Sequence, residues 1–176
     1  MGIFDSLFGK KRKPSEDMVV KLIETGRMCH FMNNSTPDQK GANFESALIS
    51  AFFLLKFAKA HGRGYELVEK YTFSYLMELS RKYNISSRLN MNLSDFMNLR
   101  FEQYTIELEG MIKHEGQMLP SNTLFNLYDT PLQPKSGDCM DLFFHMNFVK
   151  EFMRFIDIAK KSSSLIIETA RMEHLM

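Results

Sequence analysis

Two cysteines in 176 residues, Cys29 and Cys139, are too few and too far apart for a disulfide framework, and their separation has no metal-ligand spacing. A reducing, cytoplasmic setting is the expectation. Histidine is sparse too. None of His30, His61, His114, His145 and His174 stands three positions after a glutamate, which removes the Glu-x-x-His pair that carboxylate-bridged metal sites in helical bundles use. The run "HEGQM" at 114–118 starts like a zinc-protease motif but lacks the second histidine four positions on. Cys29 and His30 are neighbours and therefore diverge by about 100° on a helix, so they form no nucleophile–base pair by themselves. No metal, cofactor or catalytic residue is expected.

A strong charge of either sign is also missing. The net charge is +1, and residues 1–13 alone hold +3, which leaves 14–176 at −2. A body so nearly neutral, with both signs interspersed, offers no basic face to neutralise phosphates, and nucleic acid is excluded as an expected partner. Long hydrophobic runs are absent as well. The most apolar stretch, "ALISAFFLLKFAKA" at 47–60, is broken by Lys56 and Lys59 and falls short of the ~20 residues that cross a bilayer. It reads as a buried core helix. The opening apolar stretch precedes its cations and is too short for the apolar region of a signal peptide, so none is expected.

Strand-like alternation, a proline- or glycine-rich linker and sustained heptads are all lacking, whereas helical spacing runs through the chain. The expected fold is an all-α, single-domain bundle of about five to seven helices at 15–176, preceded by an amphipathic and basic segment at 1–14. Ser15 is placed to cap a first helix at 16–33 whose face carries Val19, Leu22, Ile23 and Gly26, with Glu16 and Asp17 favourable in its first turn. Thr36-Pro37-Asp38-Gln39 has the form of a capping box opening a second helix that runs to about His61. The glycines of "HGRG" end that helix. A third helix is expected at 65–83, with Val68, Tyr71, Tyr75, Leu76 and Leu79 on one side. A fourth, capped by Asn92, should carry Phe96, Leu99 or Arg100, Gln103 or Tyr104, and Leu108 along its stripe towards Glu115.

The irregular segment 116–138 holds three of the five prolines and exceeds the ordinary loop length of about a dozen. It should contain a short helix near 122–129. Its apolar residues cover the core, or Leu124, Phe125 and Tyr128 form a lid over a ligand pocket. From Asp138 to about Lys160 follows a helix with two adjacent apolar stripes, Leu142, Met146, Val149, Met153 and Ile156 beside Phe144, Phe148, Phe152 and Phe155. Such breadth requires cover on two sides, in the core or by self-association. "KKSSS" is expected to interrupt it before a final helix at 165–172. Asp138, Asp141 and His145 share one stripe at offsets of three and four. They could bind a divalent metal or support a general base, but helix-start roles for the two aspartates and edge packing for the histidine explain them as well.

The opening "MGIFDSLFGKKRK" pairs an apolar wedge with cations. As a helix it puts Ile3, Phe4, Leu7 and Phe8 at i, i+1, i+4 and i+5, followed by Lys10, Lys11, Arg12 and Lys13. That pairing gives a peripheral segment affinity for an anionic membrane, each cation contributing about 1 kcal/mol near the surface; an inert basic tail is the alternative. The sequence is thus read as a non-enzymatic cytoplasmic interaction module, docked to a membrane surface or a protein partner through its first thirteen residues, with self-association expected. The competing reading is a helical enzyme or ligand binder with a pocket under 116–138.

Overall fold

The computed structural model describes residues 12–30, 38–113, 131–133 and 142–175, and all the regular structure among them is helical. Five α-helices, the low end of the expected number, are α1 (Pro14–His30), α2 (Gln39–Lys59), α3 (Tyr65–Tyr83), α4 (Leu93–Lys113) and α5 (Leu142–Leu175), with a 3-10 turn at Ser86–Arg88. No described helix is long and apolar enough to cross a membrane.

The middle of the bundle is α2. It buries 15 of its 21 residues, and α1, α3, α4 and α5 all pack on it. A helix that is apolar on nearly every side can be accommodated only in such a position. Two serines within it, Ser46 and Ser50, are buried without cost in unpaired hydroxyls, because each donates to the carbonyl four residues back, at 2.8 and 2.7 Å. The cap of α2 is Asp38, whose carboxylate accepts from the Gly41 N–H at 2.9 Å and also pairs with Arg88. This differs from the expected box, in which Thr36 would cap; Thr36 and Pro37 lie outside the described residues. At the other end, Gly62 and Gly64 take φ of 72° and 98°, the left-handed conformations a tight reversal requires.

The third helix has the expected bounds, and Asn84, at φ 54°, closes it in the left-handed conformation. The fourth opens as read: the Asn92 side chain accepts from the Asp95 N–H at 2.8 Å.

The first helix starts earlier than expected, because Pro14 can occupy a first helical position whose N–H needs no partner. Ser15 is therefore not its cap but a buried first-turn residue. Its N–H and hydroxyl donate to the two carboxylate oxygens of Glu173 at 2.7 and 2.6 Å. A carboxylate from the far end of α5 thus satisfies a donor at the positive end of α1.

The break expected at "KKSSS" is absent: α5 runs unbroken for 34 residues. Ser163 is buried, donates to the Lys160 carbonyl at 3.0 Å and lies 3.4 Å from His61 Nε2. Serine costs a helix only a few tenths of a kcal/mol, and the inner face of α5, from Phe152 through Ala159 to Ile166 and Ala170, is buried on both sides of the junction. Core packing outweighs the local signal.

Candidate functional site

The expected site residues are distributed unevenly over the structure. Ile3, Phe4, Leu7, Phe8, Lys10 and Lys11 lie outside the described residues, as do Leu124, Phe125, Tyr128, Asp138 and Asp141. His145 falls within α5, but its side chain is outside the description, and so is that of every α5 residue before Lys150. Of the basic run, Lys13 is exposed, whereas Arg12 is anchored: Nη2 donates to both oxygens of Glu78, at 3.2 and 3.0 Å, and the guanidinium stands 5.6 Å from the centre of the Tyr75 ring. Of the two stripes on α5, Phe152, Phe155 and Ile156 are buried within the chain itself. Among the described residues no group of three His, Cys, Asp or Glu side chains is placed to hold a metal ion.

The structure gathers two features that the sequence reading did not assemble. The first is a closed polar cluster in the core. Arg100 of α4 and Glu45 of α2 are both fully buried and paired at 2.7 Å. The Arg100 Nε also donates to both Glu45 oxygens, and the Tyr104 hydroxyl and the Leu132 N–H donate to the same carboxylate at 3.0 and 2.9 Å. Remaining Arg100 donors reach the Gln103 side chain at 2.6 Å and the Gln133 carbonyl, and its plane lies 4.8 Å from the Phe96 ring centre. Burial by itself would lower the Arg100 pKa, but the Glu45 charge and hydrogen bonds outweigh it and raise it. Burial, then the Glu45 charge, pushes the Tyr104 phenol well above its ordinary range. With these partners satisfied, the cluster is a clamp that holds 131–133 against α2 and α4. Leu132, at φ 69°, is kept in a left-handed conformation there.

The second feature is an open groove. The third and fourth helices both rest on α2 and make little contact with one another, Phe73 and Phe101 meeting between them with ring centres 6.1 Å apart. The space left between them measures about 510 Å³. Its floor is aromatic: Phe52 lies 6.0 Å from Phe101, and 5.7 Å edge-on from Tyr104, so the buried clamp supports the floor from behind.

The polar groups along the walls are mostly committed to one another. Tyr65 donates to Glu69 at 2.8 Å, and burial together with that carboxylate pushes the phenol up to about 12, so it stays a donor. Lys56 pairs with Glu109, and the Thr105 hydroxyl donates to the Phe101 carbonyl. Lys59, at the α2 end, is exposed and makes no ion pair among the described residues. Just outside the groove on α4 stands Ile106, 79% exposed.

What this arrangement offers is a trough with an aromatic floor and largely polar walls, with Lys59 at its end unpaired among the described residues and the exposed Ile106 just outside it. The described part of 116–138 does not line it. Comparison with protein-family models, with curated proteins and with solved structures finds no match, so the meaning of the groove rests on its own geometry.

Proposed function

We propose that this chain is a non-enzymatic helical interaction module of the cytoplasm, whose α3–α4 groove receives an apolar segment of a protein partner. The observation that carries this reading is the groove's shape and lining together. It is open along its length rather than enclosing, and its floor is aromatic, as in surfaces that receive the apolar side chains of a partner helix or strand. Between Phe52 and Ala60 the α2 wall extends about 12 Å at 1.5 Å per residue, enough for roughly two turns of a docked helix. Lys59 selects for an acidic residue beside the apolar anchors, and Ile106 extends the contact beyond the rim.

Selection of random twelve-residue peptides on the folded protein tests this. Enriched sequences should pair two bulky apolar residues with an aspartate or glutamate. Their affinity should fall at least tenfold, about 1.4 kcal/mol, on Lys59→Glu, and as much on Thr105→Trp, which fills the trough. Binders indifferent to both substitutions would remove the groove as the docking site.

The opening segment supplies attachment in this reading. Ile3, Phe4, Leu7 and Phe8 would insert at an anionic membrane surface while Lys10, Lys11 and Lys13 meet the headgroups. Arg12 already faces Glu78, so neutralising it alone should change vesicle binding least. Replacing Phe4 and Phe8 by serine removes burial worth about 1.5–3 kcal/mol per side chain at full insertion. That change, or neutralising Lys10, Lys11 and Lys13 together, should release the protein from phosphatidylserine-containing vesicles and leave its melting temperature nearly unaltered. Unchanged partitioning in both variants would eliminate the anchor.

A further inference from the structure

The outer side of α5 carries a pattern that the groove does not use and whose apolar residues the core engages only through Ile158. Ile158, Leu165 and Met172 recur at intervals of seven, and Ser162 and Thr169 fall between them, so the five alternate in steps of four and three along one line of the helix. Leu165 and Met172 are 55% and 59% exposed, and Ile158, Ser162 and Thr169 are half-buried. This is the spacing of a coiled-coil seam, in which large side chains act as knobs and small ones leave holes. Beside it, Met18, Leu22, Thr25 and Lys21 of α1, the lysine held by Asp17, complete a shallow trough of about 230 Å³ around Ser162 and Leu165.

Charge singles out an occupant. Next to the seam, on the side away from α1 and the core, stand Lys161 and Glu168, both exposed and neither ion-paired among the described residues. When two copies of α5 run antiparallel, packing Leu165 of each over Ser162 of the other also sets Ile158 over Thr169. The flanking positions that face one another in that register are Lys161 and Glu168. Each copy then offers its neighbour the opposite charge twice, once on either side of the two-fold axis. A parallel pairing sets Lys161 against Ile166 and gains nothing from charge.

We propose that the protein forms a two-fold dimer through the 158–172 stretch of α5, each Leu165 seated in the α1–α5 trough of the other copy over Ser162. A patch of this kind is self-complementary, as a closed two-fold interface requires. Its fifteen residues extend about 22 Å along the helix. That places it near the small end of specific interfaces, so the dissociation constant should lie in the micromolar range.

Sedimentation equilibrium on the full chain from about 1 µM to 500 µM should show a reversible monomer–dimer equilibrium. Leu165→Glu, at an exposed position, should abolish the dimer while leaving the circular dichroism spectrum unchanged. Lys161→Glu and Glu168→Lys should each weaken association at least tenfold, and the double reversal should restore it. A wild-type chain that stays monomeric throughout the range would overturn the proposal. Failure of the double reversal to rescue would overturn the antiparallel register, and dimers unaffected by Leu165→Glu would place the contact elsewhere on the molecule.

Discussion

Arg100→Met should destabilise the fold by about 3–5 kcal/mol, the cost of leaving a buried carboxylate without its countercharge. For a chain of this size that is a fall of roughly 6–20 °C in melting temperature. Glu45 would keep the Tyr104 hydroxyl and the Leu132 N–H as donors, but two neutral hydrogen bonds do not replace a guanidinium that meets both oxygens. Arg100→Lys should recover little, because an ammonium cannot reproduce the fork that reaches Glu45, Gln103 and the Gln133 carbonyl together. The double variant Glu45→Leu/Arg100→Met should be no less stable than Arg100→Met, since both charges leave the core at once. Additive losses would show that the two residues do not act as a unit. Hydrogen exchange at Leu132 gives a local readout: its amide should lose protection in every variant lacking Glu45.

Gly26→Ala should destabilise as well, by about 1–3 kcal/mol, although alanine favours a helix over glycine by up to about 1 kcal/mol. A Cβ at this position would come within 2.2 Å of the Ser50 hydroxyl and 2.6 Å of the Phe155 ring. Neither neighbour has room to retreat. Ser50 is on the central helix, and Phe155 is fully buried and packs edge-on to Phe53, with ring centres 6.4 Å apart. Glycine here allows α1 to approach α2 and α5 more closely than any other residue would. Gly26→Ala/Phe155→Leu should recover part of the loss by making space. Urea denaturation of the three proteins measures this, and an alanine variant as stable as the parent would show that the helices can part without penalty.

Much of the fold was legible from spacing and end signals. The apolar positions of α3 and the Asn92 cap of α4 repeat local rules in which a residue's role depends on neighbours a turn away, and the structure reproduces both. The nearly continuous apolarity of 47–55 placed α2 in the core for the same reason, since a helix with almost no polar face has nowhere else to go. Gly26 stood on the inward face of its helix, and its spacing was visible. That two other helices press against it there was not.

The candidate sites were far less legible, because they depend on which helices meet. Arg100 and Tyr104 stood one turn apart on an apolar stripe, and Glu45 stood at the head of an apolar helix. The signal was a charged residue at an inward position, but pairing Glu45 with Arg100 takes contact between segments 55 positions apart. The groove likewise exists only because α2, α3 and α4 come together around it, and no run of residues encodes that meeting locally. The missed continuity of α5 has a tertiary cause, whereas the misplaced cap at Ser15 begins with a local one, Pro14 at the first helical position, which Glu173 then reinforces. Serine and lysine weaken a helix by tenths of a kcal/mol, whereas a buried inner face and a carboxylate reaching from Glu173 to the start of α1 contribute more than that and come from distant parts of the chain. Sequence determined that this protein is helical, which faces turn inward and where several helices end; tertiary structure decided that α5 runs on through its serines, which buried charges find each other and where the surface opens, because those outcomes rest on contacts between elements rather than within them.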